Sequence, residues 1–94
     1  SDYQAVMRDF AFVVDAGVSA GDIIKWIASA DKQLITGVEI FDVYAGKGIE
    51  PGKKSVAIKV TLQSMERTLT DADIGAVSGA ILAAAGKFGG VLRQ

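Results

Sequence analysis

The 94-residue chain contains no cysteine, no histidine and a single proline. Without cysteine it has no disulfides and no thiolate metal sites, which fits a reducing compartment. Without histidine as well, Ser-His and Cys-His triads, most zinc sites and the usual neutral-pH acid–base group are excluded. Carboxylates and lysines remain, but their spacing marks no independent active site. No apolar run approaches the roughly 20 residues needed to cross a bilayer, and no signal-peptide pattern opens the chain. Charge excess is missing too: 10 Lys and Arg against 11 Asp and Glu leave a net charge of −1. Proteins that wrap duplex DNA by charge alone show a clear basic excess. Any nucleic-acid contact here is therefore local.

What is present is a 50% hydrophobic composition, enough for one modest core in a single domain spanning residues 1–94. Phe10-Ala11-Phe12-Val13-Val14 is a short run of β-formers bounded by Asp15 and Gly17, and reads as a strand. Ser19 offers a hydroxyl N-cap with Asp22 three residues on, and Ile23, Ile24, Ile27, Ala28 and Ala30 follow at helical spacing. A helix is predicted from about Ser19 to Ala30. Leu34–Ala45 and Ser55–Gln63 are predicted strands, joined through Gly46, Gly48 and Pro51-Gly52. Thr70-Asp71-Ala72-Asp73 caps a second helix, whose apolar stripe is Ile74, Val77, Ile81, Ala85 and Phe88, supported by Leu82. Its glycines and alanines are expected to let it lie close to the sheet. Gly86, Gly89 and Gly90 end it, and Val91–Arg93 is long enough for a last strand.

The order β-α-β-β-α-β predicts an α+β, ferredoxin-like domain: a four-stranded antiparallel sheet with two helices on one face. The other face is then open. Ser55–Gln63 fits this, with Val56, Ile58, Val60 and Leu62 on one side and Ser55, Ala57, Lys59, Thr61 and Gln63 on the other. In the first strand Phe10, Phe12 and Val14 form the larger apolar face, which sends Asp9, Ala11 and Val13 outward. In the second strand Glu39 and Asp42 indicate opposite faces, a conflict that one bulge reconciles. Placing Phe41 and Val43 inward sends Asp42 and Tyr44 outward.

The open face then collects Ala11, Asp42, Tyr44 and Ser55, with Lys59 beside them, and Lys47, Lys53 and Lys54 are in position to meet phosphates. A tyrosine ring stacks on a base for about 1–3 kcal/mol. An ionised Asp42 only accepts hydrogen bonds, so it suits an amino or imino N–H such as those of guanine. Ala11 leaves room for a flat ligand. The same residues also compose an ordinary surface hairpin: exposed tyrosines are common on strands, Asp42 can pair with Lys53 or Lys54, and the glycines shape turns. Arg8 and Asp9 are expected to form a structural ion pair at the strand end. Trp26 is expected to be partly buried, against the sheet or a neighbouring domain.

Four segments in order carry a resemblance: Arg8–Val14; Phe41-Asp42-Val43-Tyr44 with Gly46, Gly48 and Pro51–Ser55; Glu66–Asp71; and Leu92-Arg93. Together they resemble the ferredoxin-fold anticodon-binding domain at the C-terminus of bacterial phenylalanyl-tRNA synthetase β subunits, over nearly the whole chain. The resemblance implies binding to the anticodon stem-loop of tRNA(Phe), with the first anticodon base, a guanine, stacked at Tyr44. It also implies Asp42, Ser55 and Ala11 as the pocket's neighbours. It implies a fragment of a much longer, cytoplasmic polypeptide whose parent enzyme uses ATP and magnesium. That enzyme joins phenylalanine to tRNA in an (αβ)2 assembly with an α subunit, while this domain is itself non-catalytic and needs no cofactor. Ala5, where the family often has proline, and Ser64-Met65, where proline or an acidic turn residue is common, depart from the pattern without touching a proposed contact. A mitochondrial synthetase carries a related domain, but the glycine-rich loop and Arg67–Asp71 look bacterial. Rival assignments are an RRM, disfavoured because Ser55–Gln63 has no aromatic, an ACT-like small-molecule regulatory domain, and a purely structural assembly module using Trp26 and the helices.

Overall fold

A computed structural model describes residues 3–93. The elements are β1 (Val6–Asp15), α1 (Ala20–Ala28), β2 (Ile35–Tyr44), β3 (Lys53–Leu62), α2 (Asp71–Lys87) and β4 (Val91–Leu92). The sheet order is β2-β3-β1-β4 with antiparallel pairing throughout. Each β-α-β unit thus skips a neighbour, because β3 lies between β1 and β2 and β1 lies between β3 and β4, which is the split βαβ plan expected from the sequence. β1 begins four residues before Phe10. Arg8 and Asp9 are poor strand formers, but β3 supplies a ladder partner for every residue from Val6↔Leu62 to Asp15↔Lys53, and the pairing overrides propensity.

The core lies between the sheet and the helices. Val56, Ile58, Val60 and Leu62 of β3 are 0–1% exposed, and Phe12 and Val14 of β1 join them. Ile23 and Ile27 from α1, and Val77, Ile81 and Ala85 from α2, cover this surface. Each such large side chain contributes about 1.5–3 kcal/mol by leaving water. The alternation of β3 and the inward set of β1 are as the sequence indicates.

Some expectations about packing need correction. Leu82 is 40% exposed and does not support the buried stripe of α2, since it falls one position past Ile81 around the helix. The glycines of α2 do not bring it closer to the sheet: a side chain at Gly75, Gly79 or Gly86 would meet nothing within 4 Å. They face away from the core. The tightest approach among the described glycines is at Gly90, where a Cβ would stand 2.9 Å from the Phe88 ring and 3.1 Å from the Ala85 carbonyl oxygen. Arg8 and Asp9 form no ion pair; the Arg8 guanidinium donates to the Met7 carbonyl instead. Trp26 is 36% exposed and stacks on Phe88, 5.0 Å between centroids, so its partner is the end of α2 rather than the sheet.

Both helices are capped where expected. The Asp22 amide donates to Ser19 Oγ at 3.1 Å. At α2 the box is complete: the Asp73 amide donates to Thr70 Oγ1, and the Thr70 amide donates to the Asp73 carboxylate. Arg67 also pairs with that carboxylate at 3.0 Å. Before it, Ser64 is buried and its Oγ accepts from the amides of Glu66 and Arg67, so a serine organises this turn.

The Thr70 amide, and after it Arg67, hold the Asp73 carboxyl at about 2, below its ordinary 3.8. A depressed carboxylate stabilises fully above its unfolded-state value and ceases to do so as pH falls through the folded one. In thermal melts the stability gap between wild type and Asp73→Asn should therefore narrow below about pH 4 and be largely gone near pH 2. A gap constant from about pH 6 to about pH 2 contradicts this. Thr70→Ala, which removes the cap, should cost about 1 kcal/mol in urea unfolding at neutral pH.

Candidate nucleic-acid interface

The helices leave one sheet face open, and strand register determines what stands on it. Directly opposed residues of antiparallel strands share a face. One row runs Asp42↔Ala57↔Ala11, and the Arg93 amide closes it by donating to the Ala11 carbonyl at 2.7 Å. The next row runs Tyr44↔Ser55↔Val13↔Val91. Asp42 and Ala11 stand two strand spacings apart, about 10 Å. Two methyl groups thus form a shallow floor between a carboxylate and a guanidinium, with a phenol ring beside it.

Tyr44 is 39% exposed and fixed at its tip, where the hydroxyl donates to the Lys47 carbonyl at 2.8 Å. Gly46 makes this possible. Its φ is +139°, a conformation side chains rarely adopt. Arg93 lies beside the ring, its guanidinium carbon 5.8 Å from the centroid, and Nη1 donates to Ser55 Oγ at 3.2 Å. Ser55 is only 5% exposed, so a ligand reaching it works with or displaces Arg93. In the sequence Arg93 stands out only as the end of Leu92-Arg93. Its place at the site depends on the β1–β4 register, which no single segment displays.

The other predicted residues divide. Ala11, Asp42, Tyr44 and Ser55 come together as expected. Asp42 pairs with neither Lys53 nor Lys54, and its side chain has no hydrogen bond or ion pair among the described residues. Lys53 is engaged 2.6 Å from Asp15, whose hydrogen bond and charge raise its pKa. Lys54 donates to the Val18 carbonyl at 2.6 Å and is partly buried. Lys47 is exposed, with no partner on its ammonium group among the described residues. Of the three lysines it is the one whose ammonium group has no hydrogen-bond or ion-pair partner among the described residues.

Phe41 is not inward. It is 51% exposed, and Lys59, an open-face residue, holds its ammonium 5.7 Å from the ring centroid. The register shifts between Ile40↔Ile58 and Asp42↔Ala57, leaving Phe41 as the extra residue of a bulge. Glu39 and Phe41 alternate outward up to the bulge, and Asp42 and Tyr44 after it. Val43 opposes Val56 on the core side, but at 53% exposure it lies beyond the helices' cover.

A second concavity, an open groove of about 600 Å³, lies between the helices and is lined by Trp26, Ala80, Ala84, Lys87 and Phe88 among others. It holds none of the hydrogen-bonding groups gathered around Tyr44. A flat base needs a platform and edge contacts more than an enclosure.

Residues 1–93 match the ferredoxin-fold anticodon binding domain family. The chain belongs to that family. It is 56% identical over 94 residues to the phenylalanine–tRNA ligase beta subunit of Bradyrhizobium diazoefficiens, covering 99% of this chain and 12% of that protein. The same-named proteins of Brucella abortus and Novosphingobium aromaticivorans are 52% and 47% identical, each over 97% of this chain and 11% of their own length. The chain thus spans about an eighth or less of the relatives it matches, and the resemblance carried by the four sequence segments is borne out. Within this ferredoxin-fold anticodon-binding domain, Tyr44→Phe should keep the core but release the loop after β2. Amide exchange at Ile49, which bonds to the Gly46 carbonyl, should quicken, with a stability loss of about 0.5–1.5 kcal/mol. Unchanged exchange there would show that the hydroxyl does not hold the loop.

Proposed function

We propose that this chain binds the anticodon stem-loop of tRNA(Phe) on its open sheet face, with the first anticodon base stacked on Tyr44. The observation that carries the proposal is the grouping of an anchored, half-exposed Tyr44 with Asp42, Ser55, Ala11 and Arg93 at one end of that face. The ring supplies the stacking surface, and the alanine floor leaves space beneath the base. Asp42, without a hydrogen-bond or ion-pair partner among the described residues and an acceptor only, suits the N–H edge of guanine. Arg93 supplies a cation against the ring and donors for base or backbone, and Lys47 reaches for phosphate. With a net charge of −1, affinity rests on these few contacts rather than on a broad field.

The family match and the relatives' names support placing the chain within a phenylalanine–tRNA ligase β subunit. In that setting its partners are the α subunit and the remaining β-subunit domains, in an (αβ)2 assembly in the cytoplasm. ATP and magnesium serve the parts of the ligase beyond this chain; among the described residues no group of three acidic side chains gathers to hold a metal. No helix among them is long and apolar enough to cross a membrane. No observation favours an ACT-type regulatory role.

Titration of the chain with the anticodon stem-loop, and with a loop changed at the first anticodon base, tests this. Binding should be weak but base-sensitive. Tyr44→Ala should weaken the cognate complex about 5- to 150-fold and remove most of the discrimination. Lys47→Ala should weaken both loops alike and lower the salt slope by about 0.7. Equal binding of both loops, unchanged by Tyr44→Ala, would sink the stacking model.

A further inference from the structure

We infer that Phe41 is a second stacking platform on the same face, taking the nucleotide next to the one held by Tyr44. The inference rests on the proposed anticodon reading and extends it. Phe41 is a half-exposed aromatic on the open side of the sheet, whereas Val56, Ile58, Val60 and Leu62 of β3 are fully buried. Its position depends on the bulge. In a regular strand residues 41 and 42 would face opposite ways, and either Phe41 or the Asp42–Tyr44 pair would be lost from the open face. The extra residue lets Glu39, Phe41, Asp42 and Tyr44 all face outward. Re-aiming a side chain next to a site is a common use of bulges.

The spacing and energetics agree. Phe41 lies three residues from Tyr44 along β2, about 7–10 Å once the bulge shortens the strand. Neighbouring aromatics on one four-stranded sheet can each take a base of a splayed single strand. Lys59 now sits over the Phe41 ring. Such an exposed cation–π contact is weaker than a stacked base. A base therefore displaces the ammonium, which stays tethered nearby to meet the phosphate that arrives with it. Asp42 lies between the two platforms in sequence, so its acceptor oxygens serve the first base while Phe41 holds the next.

The test is a set of anticodon stem-loops made abasic, one at a time, at the two nucleotides flanking the first anticodon base, titrated with wild type, Phe41→Ala and Phe41→Trp. Phe41→Ala should bind the intact loop at least about fivefold more weakly. It should match wild type on the loop abasic at one flanking position, and keep its sensitivity to the first anticodon base. Phe41→Trp should restore binding, and melting curves of both variants should show the fold intact, as befits a half-exposed site. An equal penalty on intact and abasic loops assigns Phe41 a structural role and overturns the inference. So does an intact loop bound equally by wild type and Phe41→Ala. If base sensitivity at the first position persists in either case, the Tyr44 model survives alone; if wild type shows no base sensitivity at all, both fall together.

Discussion

Everything in this domain depends on the two-sidedness of β3. Its even residues from Val56 to Leu62 are sealed against the helices, and its odd residues are small or polar and form the middle of the open face. As an inner strand paired on both edges, it fixes the register of β1 and β2, and through β1 that of β4. A one-residue slip would turn Val56, Ile58, Val60 and Leu62 to water, at several kcal/mol together. That penalty is what holds Ala11, Asp42, Ser55 and Arg93 within reach of one another, although they come from four separate stretches of chain and none belongs to the apolar core.

The hairpin end of β2 and β3 lies past the helices, and residues 41–48 are all exposed. Order there comes from local devices. The Tyr44 hydroxyl on the Lys47 carbonyl, the Asp15–Lys53 ion pair and the Lys54 bond to Val18 tie the hairpin to itself and to the end of β1. These bonds engage Lys53 and Lys54 locally, and of the two only Lys53 has its charge paired with a carboxylate. A site of this kind discriminates by contact, and its salt dependence should be shallow.

Much of this was legible in the sequence. Strict alternation in Val56–Leu62 and two polar caps pointed to the element order and the open face, because those signals are local and repeat. The placing of Ala11 and Ser55 on one face followed from alternation as well, whereas that of Asp42 and Tyr44 required a choice of face in an ambiguous strand. The facing of Phe41 did not follow, since the charges at Glu39 and Asp42 announce a bulge without saying which residue it ejects; only pairing with Ile58 and Ala57 decides that. Arg93 was hidden for a related reason, as a two-residue strand carries no pattern and its neighbours are set by β1. The local partners of the lysines were not legible either, because spacing cannot show that Asp15 and the Val18 carbonyl lie within hydrogen-bonding reach of Lys53 and Lys54.

The central claim, that the open sheet face rather than the helix groove recognises RNA, is tested most directly by amide chemical-shift mapping of the isotope-labelled chain during titration with the tRNA(Phe) anticodon stem-loop. The account predicts that perturbations cluster at Ala11, Asp42, Tyr44, Ser55 and Arg93 and leave Trp26, Ala84 and Phe88 unmoved. Perturbations centred on those helix-groove residues, with the sheet face silent, would contradict it.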